Sequence, residues 1–171
     1  RTAQQAWLQS RLAASPARWQ VVVLHHAPYS SGTHGSTAAM QWPYASWGAD
    51  VVLAGHDHIY ERIAQNGIPY FVDGLGGESI YSIVSPVAGS QVRYNSDYGA
   101  MVIDADSNAM TFRFLNRSRV QIDSYTIGAQ TPTATPTPLP ANKSPTRASA
   151  GATSLRTLAI VSARRCLLPR Y

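Results

Sequence analysis

The side chains best suited to chemistry in this chain are its five histidines, and they fall in two short stretches. One reads His25-His26-Ala27-Pro28-Tyr29-Ser30-Ser31-Gly32-Thr33-His34, and the other reads Gly55-His56-Asp57-His58. Neutral imidazole is the commonest protein ligand for zinc, iron and related ions. In an extended segment residues i and i+2 point the same way, so His56 and His58 are expected to present nitrogens to one small volume while Asp57 points elsewhere. A lone His-x-His is weak evidence, because two exposed or internally satisfied histidines fit it equally well. The second cluster upstream strengthens the reading. The single cysteine, Cys166, leaves no intrachain disulfide and no cysteine-based zinc site.

Two apolar runs deliver these histidines. Trp19 to Leu24 (W-Q-V-V-V-L) and Val51 to Ala54 (V-V-L-A) are rich in β-branched residues, as expected of strands covered on both faces. Every histidine lies at or just beyond the C-terminal end of one of them. In open α/β sheets that edge is where ligands bind. Ahead of the first strand, residues 2 to 14 place Ala3, Ala6, Trp7, Leu8, Leu12 and Ala14 near helical spacing, ended by Ser15-Pro16. The order of helix, buried strand, loop and buried strand predicts an α/β layered domain.

Between the histidine stretches, Thr37 to Gly48 is expected to hold a short helix or irregular turn broken by Pro43, with Trp42, Tyr44 and Trp47 as core or pocket wall. Beyond them, Ile59 to Ala64 and Ile68 to Val72 read as a hairpin around Gln65-Asn66-Gly67. The stretch Asp73-Gly74-Leu75-Gly76-Gly77 lacks the frame and the lysine of a phosphate loop. It is expected to be a tight turn where backbone passes close to the site. Strands follow at Gly99 to Ile103, Ala109 to Leu115 and Val120 to Ile127. The acids around Asp104 and Asp106 lack a calcium loop's glycine and closing glutamate, so they read as a hairpin turn.

The formal net charge of +5 dissolves when it is located. Residues 1 to 128 carry eight arginines against nine acids, whereas residues 129 to 171 carry five arginines, one lysine and no acid. The body is therefore nearly neutral and nucleic-acid binding is not expected of it. No stretch approaches the roughly 20 apolar residues of a membrane span. Three segments are expected: a domain over 1–128, a Thr/Pro-rich linker over 129–140, and a disordered basic tail over 141–171. The opening Arg1, with no methionine or leader, reads as the start of a piece whose beginning and any signal peptide lie upstream.

The string H-H-A-P-Y-S-S-G-T-H-G-S, followed by G-A-D-V-V-L-A-G-H-D-H-I-Y-E-R, resembles the C-terminal half of the calcineurin-like metallophosphoesterases, and within them the purple acid phosphatase-like branch. The likeness runs from about Trp7 to Ile127. It implies the C-terminal half of a four-layer α/β/β/α sandwich and a phosphoester hydrolase, either phosphomonoesterase or phosphodiesterase, with two metal ions of the Fe, Zn or Mn type. It implies that His25 and His56 bind one metal, that His58 binds the other, and that His34 faces the substrate phosphate as general acid. His26 has no metal role in that pattern and is expected to support or pack. The carboxylates and asparagine of such a site would come from a missing N-terminal half, so this chain alone is expected to be inactive. The Thr/Pro-rich spacer favours an extracellular or cell-surface protein. The alternative is a non-catalytic module whose histidines bind a single ion or nothing and whose tail serves attachment.

Overall fold

A computed structural model of the chain describes residues 2–128 and 159–162. The first element, α1 (Ala3–Ala14), begins at a capping box. The Thr2 hydroxyl accepts from the Gln5 backbone N–H at 3.2 Å, and the Gln5 side chain accepts from the Thr2 N–H at 2.8 Å. Its buried stripe is narrow. Leu8 and Leu12, one turn apart, are fully covered, while Trp7 stays 44% exposed.

A six-stranded sheet follows, built from β1 (Gln20–Val23), β2 (Val51–Ala54), β3 (Tyr60–Gln65), β4 (Ile68–Asp73), β5 (Ser90–Tyr94) and β9 (Ala159–Ser162), in the order β5-β3-β4-β2-β1-β9. The strands β9, β1, β2 and β4 run parallel, and β3 turns back antiparallel to both β4 and β5. The β3–β4 connection is a two-residue Asn66-Gly67 turn, with φ of 53° and 84° at its two residues. That is the left-handed pair which matches strand twist in tight hairpins. A second, three-stranded antiparallel sheet holds β6 (Gly99–Ala105), β7 (Ala109–Asn116) and β8 (Gln121–Gly128).

Two cores lie on opposite faces of the larger sheet, and the pleat decides which side chain joins which. Val22 and Val52 face α1 and the 38–49 segment, where Tyr44, Trp42 and Trp47 are buried as expected. Val21 and Val51, one residue earlier on each strand, face the second sheet and pack with Phe71, Phe112 and Phe114. The V-V-V and V-V-L runs are continuous in sequence because both faces are covered. The layering of helix, sheet and sheet agrees with the expected α/β sandwich.

One buried charged cluster joins the sheets. Arg62 on β3 meets Asp123 on β8 through Nε at 2.7 Å and Nη2 at 3.2 Å, and the Tyr60 hydroxyl donates to the same carboxylate at 2.8 Å. The Arg62 guanidinium also lies 4.6 Å above the Tyr125 ring.

The 37–48 stretch, expected as a short helix or irregular turn broken by Pro43, forms two single 3-10 turns, Ala38–Met40 and Ala45–Trp47, on either side of that proline. Two features differ from the sequence expectations. The strand β5 was not anticipated, because Ser90-Gln91-Val92-Arg93-Tyr94 has too few apolar residues to stand out, and it forms by pairing with β3. Within the segment expected to be disordered, Ala159–Ser162 forms β9 by parallel pairing with β1. The linker 129–140 and the remainder of 141–171 lie outside the described residues.

Candidate active site

Parallel pairing continues past the ends of β1 and β2 and sets the histidines side by side. Leu24 N–H donates to Leu53 O at 2.8 Å, and Gly55 N–H donates to His25 O at 3.1 Å. Immediately afterwards the chain bends, since His56 adopts the left-handed conformation with φ of 67°. A non-glycine residue there costs on the order of 1–2 kcal/mol and persists only where its surroundings demand it. The strand argument for His56 and His58 therefore fails. The Gly55–Ile59 segment is bent rather than extended, and the two rings face different neighbours.

His56 enters a cluster with three other histidines. Its Nδ1 lies 3.2 Å from His25 Nε2, and its ring centroid is 4.3 Å from that of His26. The ring of His34 stacks on it at 4.2 Å with an interplanar angle of 26°. His25 and His26 meet edge to face at 5.0 Å. Burial pushes His26 below the usual histidine range, and the nearby His25 and His34 add to it. Burial also lowers His56, followed by its three histidine neighbours, with Asp57 opposing. Both imidazoles are thus biased towards the neutral form, which is the form that binds metal. His26, expected to support or pack, lies against the His56 ring.

His58 has a different setting. Its Nδ1 is 2.7 Å from the Ser79 carbonyl oxygen. A carbonyl can only accept, so Nδ1 carries a proton, and in the neutral ring Nε2 keeps its lone pair. Metal-bound imidazoles are oriented by the same kind of bond. The His58 ring stacks on Tyr81 at 4.1 Å, and the rings of Tyr81 and His34 meet edge to face at 5.3 Å. Tyr81 therefore links the two histidine groups, and its N–H donates to His58 O at 3.0 Å. Nothing in the sequence marks Tyr81 or Ser79, which lie in a Gly/Ser-rich loop without periodicity.

The glycine-rich turn behaves as expected. A Cβ on Gly74 would stand 2.1 Å from the Asp57 carbonyl oxygen and 3.1 Å from His58 Cα, so only glycine lets the end of β4 pass beneath the His-Asp-His backbone.

The donor set indicates how well this site suits metal ions. A pair of imidazole nitrogens 3.2 Å apart fits neighbouring positions around one ion at bond lengths of about 2.0–2.1 Å. Carboxylates do not join them. Asp57 and Glu61, the acids of the G-H-D-H-I-Y-E-R string, are 1% and 0% exposed and are bonded to Ser30 and Ser31. Among the described residues, no three His, Cys, Asp or Glu side chains form a complete metal cage. The histidines fit as imidazole donors, and among the described residues no carboxylate completes a two-ion centre with them. The buried roles of Asp57 and Glu61 were missed in sequence because an acid beside a histidine pair reads equally well as solvated.

Residues 1–60 match the model of the calcineurin-like phosphoesterase family. Over 86 residues, 47% of this chain, the sequence is 31% identical to purple acid phosphatase 17 of Arabidopsis thaliana, of which it covers 25%. Among solved structures the chain is similar to GAP50, the anchor in the inner membrane complex of Plasmodium. That likeness has a TM-score of 0.65 and 21% identity over 75% of this chain and 43% of the other, so it is a likeness of fold. The chain spans a quarter of the length of the curated relative and less than half of the structural one. No helix among the described residues is long and apolar enough to cross a membrane.

Proposed function

We propose that this chain, a relative of the calcineurin-like metallophosphoesterases, is the imidazole-bearing part of a metal-dependent phosphoester hydrolase of the purple acid phosphatase kind. The observation that carries the reading is the 3.2 Å approach of His25 Nε2 to His56 Nδ1, with His34 stacked on the same ring. His25 and His56 would hold one ion, and His58, through Nε2, would hold the second. Two such ions, when bound, supply a water of lowered pKa and positive charge for phosphoryl transfer. Around them the chain's own residues orient and protonate. Ser79 O keeps the His58 proton on Nδ1, Tyr81 covers one face of His58, and the His34 imidazolium N–H delivers a proton to the departing ester oxygen.

The substrate is a phosphate ester. The bridging carboxylate would come from outside this motif, because Asp57 and Glu61 are engaged with Ser30 and Ser31. The Thr/Pro-rich stretch 129–140 supports a secreted or surface location, since such spacers separate domains in exported proteins. A second reading, a single-ion or attachment module without turnover, is favoured by the lack of a complete cage among the described residues.

The test is phosphatase turnover with Fe, Zn or Mn. At full natural length the protein hydrolyses a phosphomonoester and His56→Ala abolishes the activity, while the 171-residue chain shows no more turnover than its own His56→Ala variant. Absence of turnover at full length sinks the hydrolase and leaves the module.

A further inference from the structure

We infer that Asp57 is a positioning residue whose buried carboxylate holds the backbone of His34 and thereby fixes that ring against His56. What His34 does chemically rests on the hydrolase reading above, whereas its placement by Asp57 does not.

Asp57 lies between two candidate ligands, yet its side chain turns away from both of them and under the His34 loop. Its Oδ1 accepts from the His34 backbone N–H at 2.8 Å, and its Oδ2 accepts from the Ser30 hydroxyl at 2.5 Å. Ser30 Oγ in turn accepts from Gly32 N–H at 3.0 Å, and Ser36 Oγ accepts from Ser30 N–H at 3.1 Å. Residues 30 to 36 are thus folded around one carboxylate. A buried carboxylate is costly unless donors surround it, so the loop and the acid each require the other.

Two glycines shape the seat. A Cβ on Gly32 would lie 2.5 Å from Asp57 Cγ and 2.7 Å from Oδ1, and one on Gly74 would strike the Asp57 carbonyl. Gly32 is therefore needed for close approach rather than for an unusual φ. Glu61 fixes the preceding part of the same loop, where its oxygens accept from the Ser31 N–H at 2.8 Å and the Ser31 hydroxyl at 2.5 Å. The Ser90 hydroxyl donates to it from the other side.

The ring of His34 is exposed at the loop surface, and its contacts are the faces and edges of His56 and Tyr81. Such contacts orient a ring only once the backbone is in place. The Asp57 bond supplies that placement, and it links the loop after β1 to the motif after β2 at the point where a protonating group has to be aimed.

The experiment is NMR on the 171-residue chain, reading exchange of the His34 amide and the ring-to-ring NOE between His34 and His56. In Asp57→Ala the His34 amide exchanges about ten- to a hundred-fold faster, the factor for losing a hydrogen bond to a charged acceptor, and the NOE disappears. The Val22 and Val52 amides stay protected. Asp57→Asn, which keeps an acceptor at Oδ1, retains the NOE. Gly32→Ala, which retains the carboxylate but displaces it, reproduces the Asp57→Ala result. Wild-type exchange and NOE in Asp57→Ala overturn the inference. If that variant loses the sheet amides as well, Ser30→Ala decides, with faster His34 exchange expected and unchanged exchange overturning it. In the full-length protein Asp57→Ala lowers kcat with KM unchanged. Lack of turnover there removes the hydrolase reading while the NMR result still decides the placement.

Discussion

His25 Nε2 and His56 Nδ1, 31 residues apart in sequence, stand 3.2 Å apart across the ends of two parallel strands. The register that aligns Val23 with Leu53 places them there, and the left-handed turn at His56 completes the approach. For the two rings to share a hydrogen bond, one nitrogen must donate to the other. A shared cation replaces that bond with two coordinate bonds.

The 171-residue chain is accordingly expected to bind Co2+ weakly, visible in the d–d absorption spectrum. His25→Ala and His56→Ala each lower the affinity by about tenfold or more, the scale on which metal sites respond even to loss of a supporting residue. His26→Ala, which removes only a ring packed on His56, has the smaller effect. Equal losses for all three variants would place His26 among the ligands.

Where the proposed hydrolase turns over, His34→Ala is expected to reduce kcat by about 10²–10⁴ on an alkyl phosphate, the usual contribution of a positioned general acid. On an aryl phosphate, whose leaving group needs little protonation, the loss is smaller. Steady-state kinetics on the two esters check this, and equal losses exclude proton delivery by His34.

Asp73, at the end of β4, carries a carboxyl that burial pushes up to about 6, with a bond from the Met101 backbone working the other way. A carboxyl raised in the folded state keeps its proton while the unfolded chain has already released its own. Its contribution to stability therefore falls as pH rises from about 4 to about 6 and then levels off. Asp73→Asn, which resembles the protonated form, is expected to raise stability at pH 7 by on the order of 2 kcal/mol. The difference between the two stability profiles vanishes towards pH 4, which denaturant titrations across that range test.

The glycine-rich turn should respond at one position and ignore substitution at another. Gly74→Ala drives a Cβ to 2.1 Å from the Asp57 carbonyl oxygen and is expected to destabilise by about 2 kcal/mol or more. Gly76→Ala meets no atom within 4 Å and is expected to stay within about 0.5 kcal/mol. Thermal melts of the two variants separate close approach from a general need for glycine.

Between the sheets, Asp123→Ala strands the largely covered Arg62 and the Tyr60 hydroxyl, with an expected cost of about 3 kcal/mol. Tyr60→Phe costs about 1 kcal/mol, and the double variant costs less than the sum because both changes remove the same bond. Additive costs would show the two bonds to be independent.

Much of the fold was legible along the chain, for stated reasons. Val51–Ala54 reads as a strand because a sheet covered on both faces needs an unbroken apolar run, and Asn66-Gly67 reads as a hairpin because both residues tolerate positive φ. The strand β5 was hidden because its order comes from pairing with β3 and hardly from its own composition. The pairing of β9 with β1 was hidden in the same way.

For the site, residue types and order alone pointed to five imidazoles beyond the C-terminal ends of β1 and β2, the edge where open α/β sheets bind ligands. Tertiary structure decided how they are grouped. The bend at His56 overrides the period-two rule and sends that ring to His25, His26 and His34, while His58 turns to Ser79 and Tyr81. It also decided the use of Asp57 and Glu61, because whether a carboxylate meets a cation, water or a loop's N–H groups depends on what packs against it. That packing comes from Ser30, Ser31 and Gly32, more than 20 residues away, and from the close passage of Gly74.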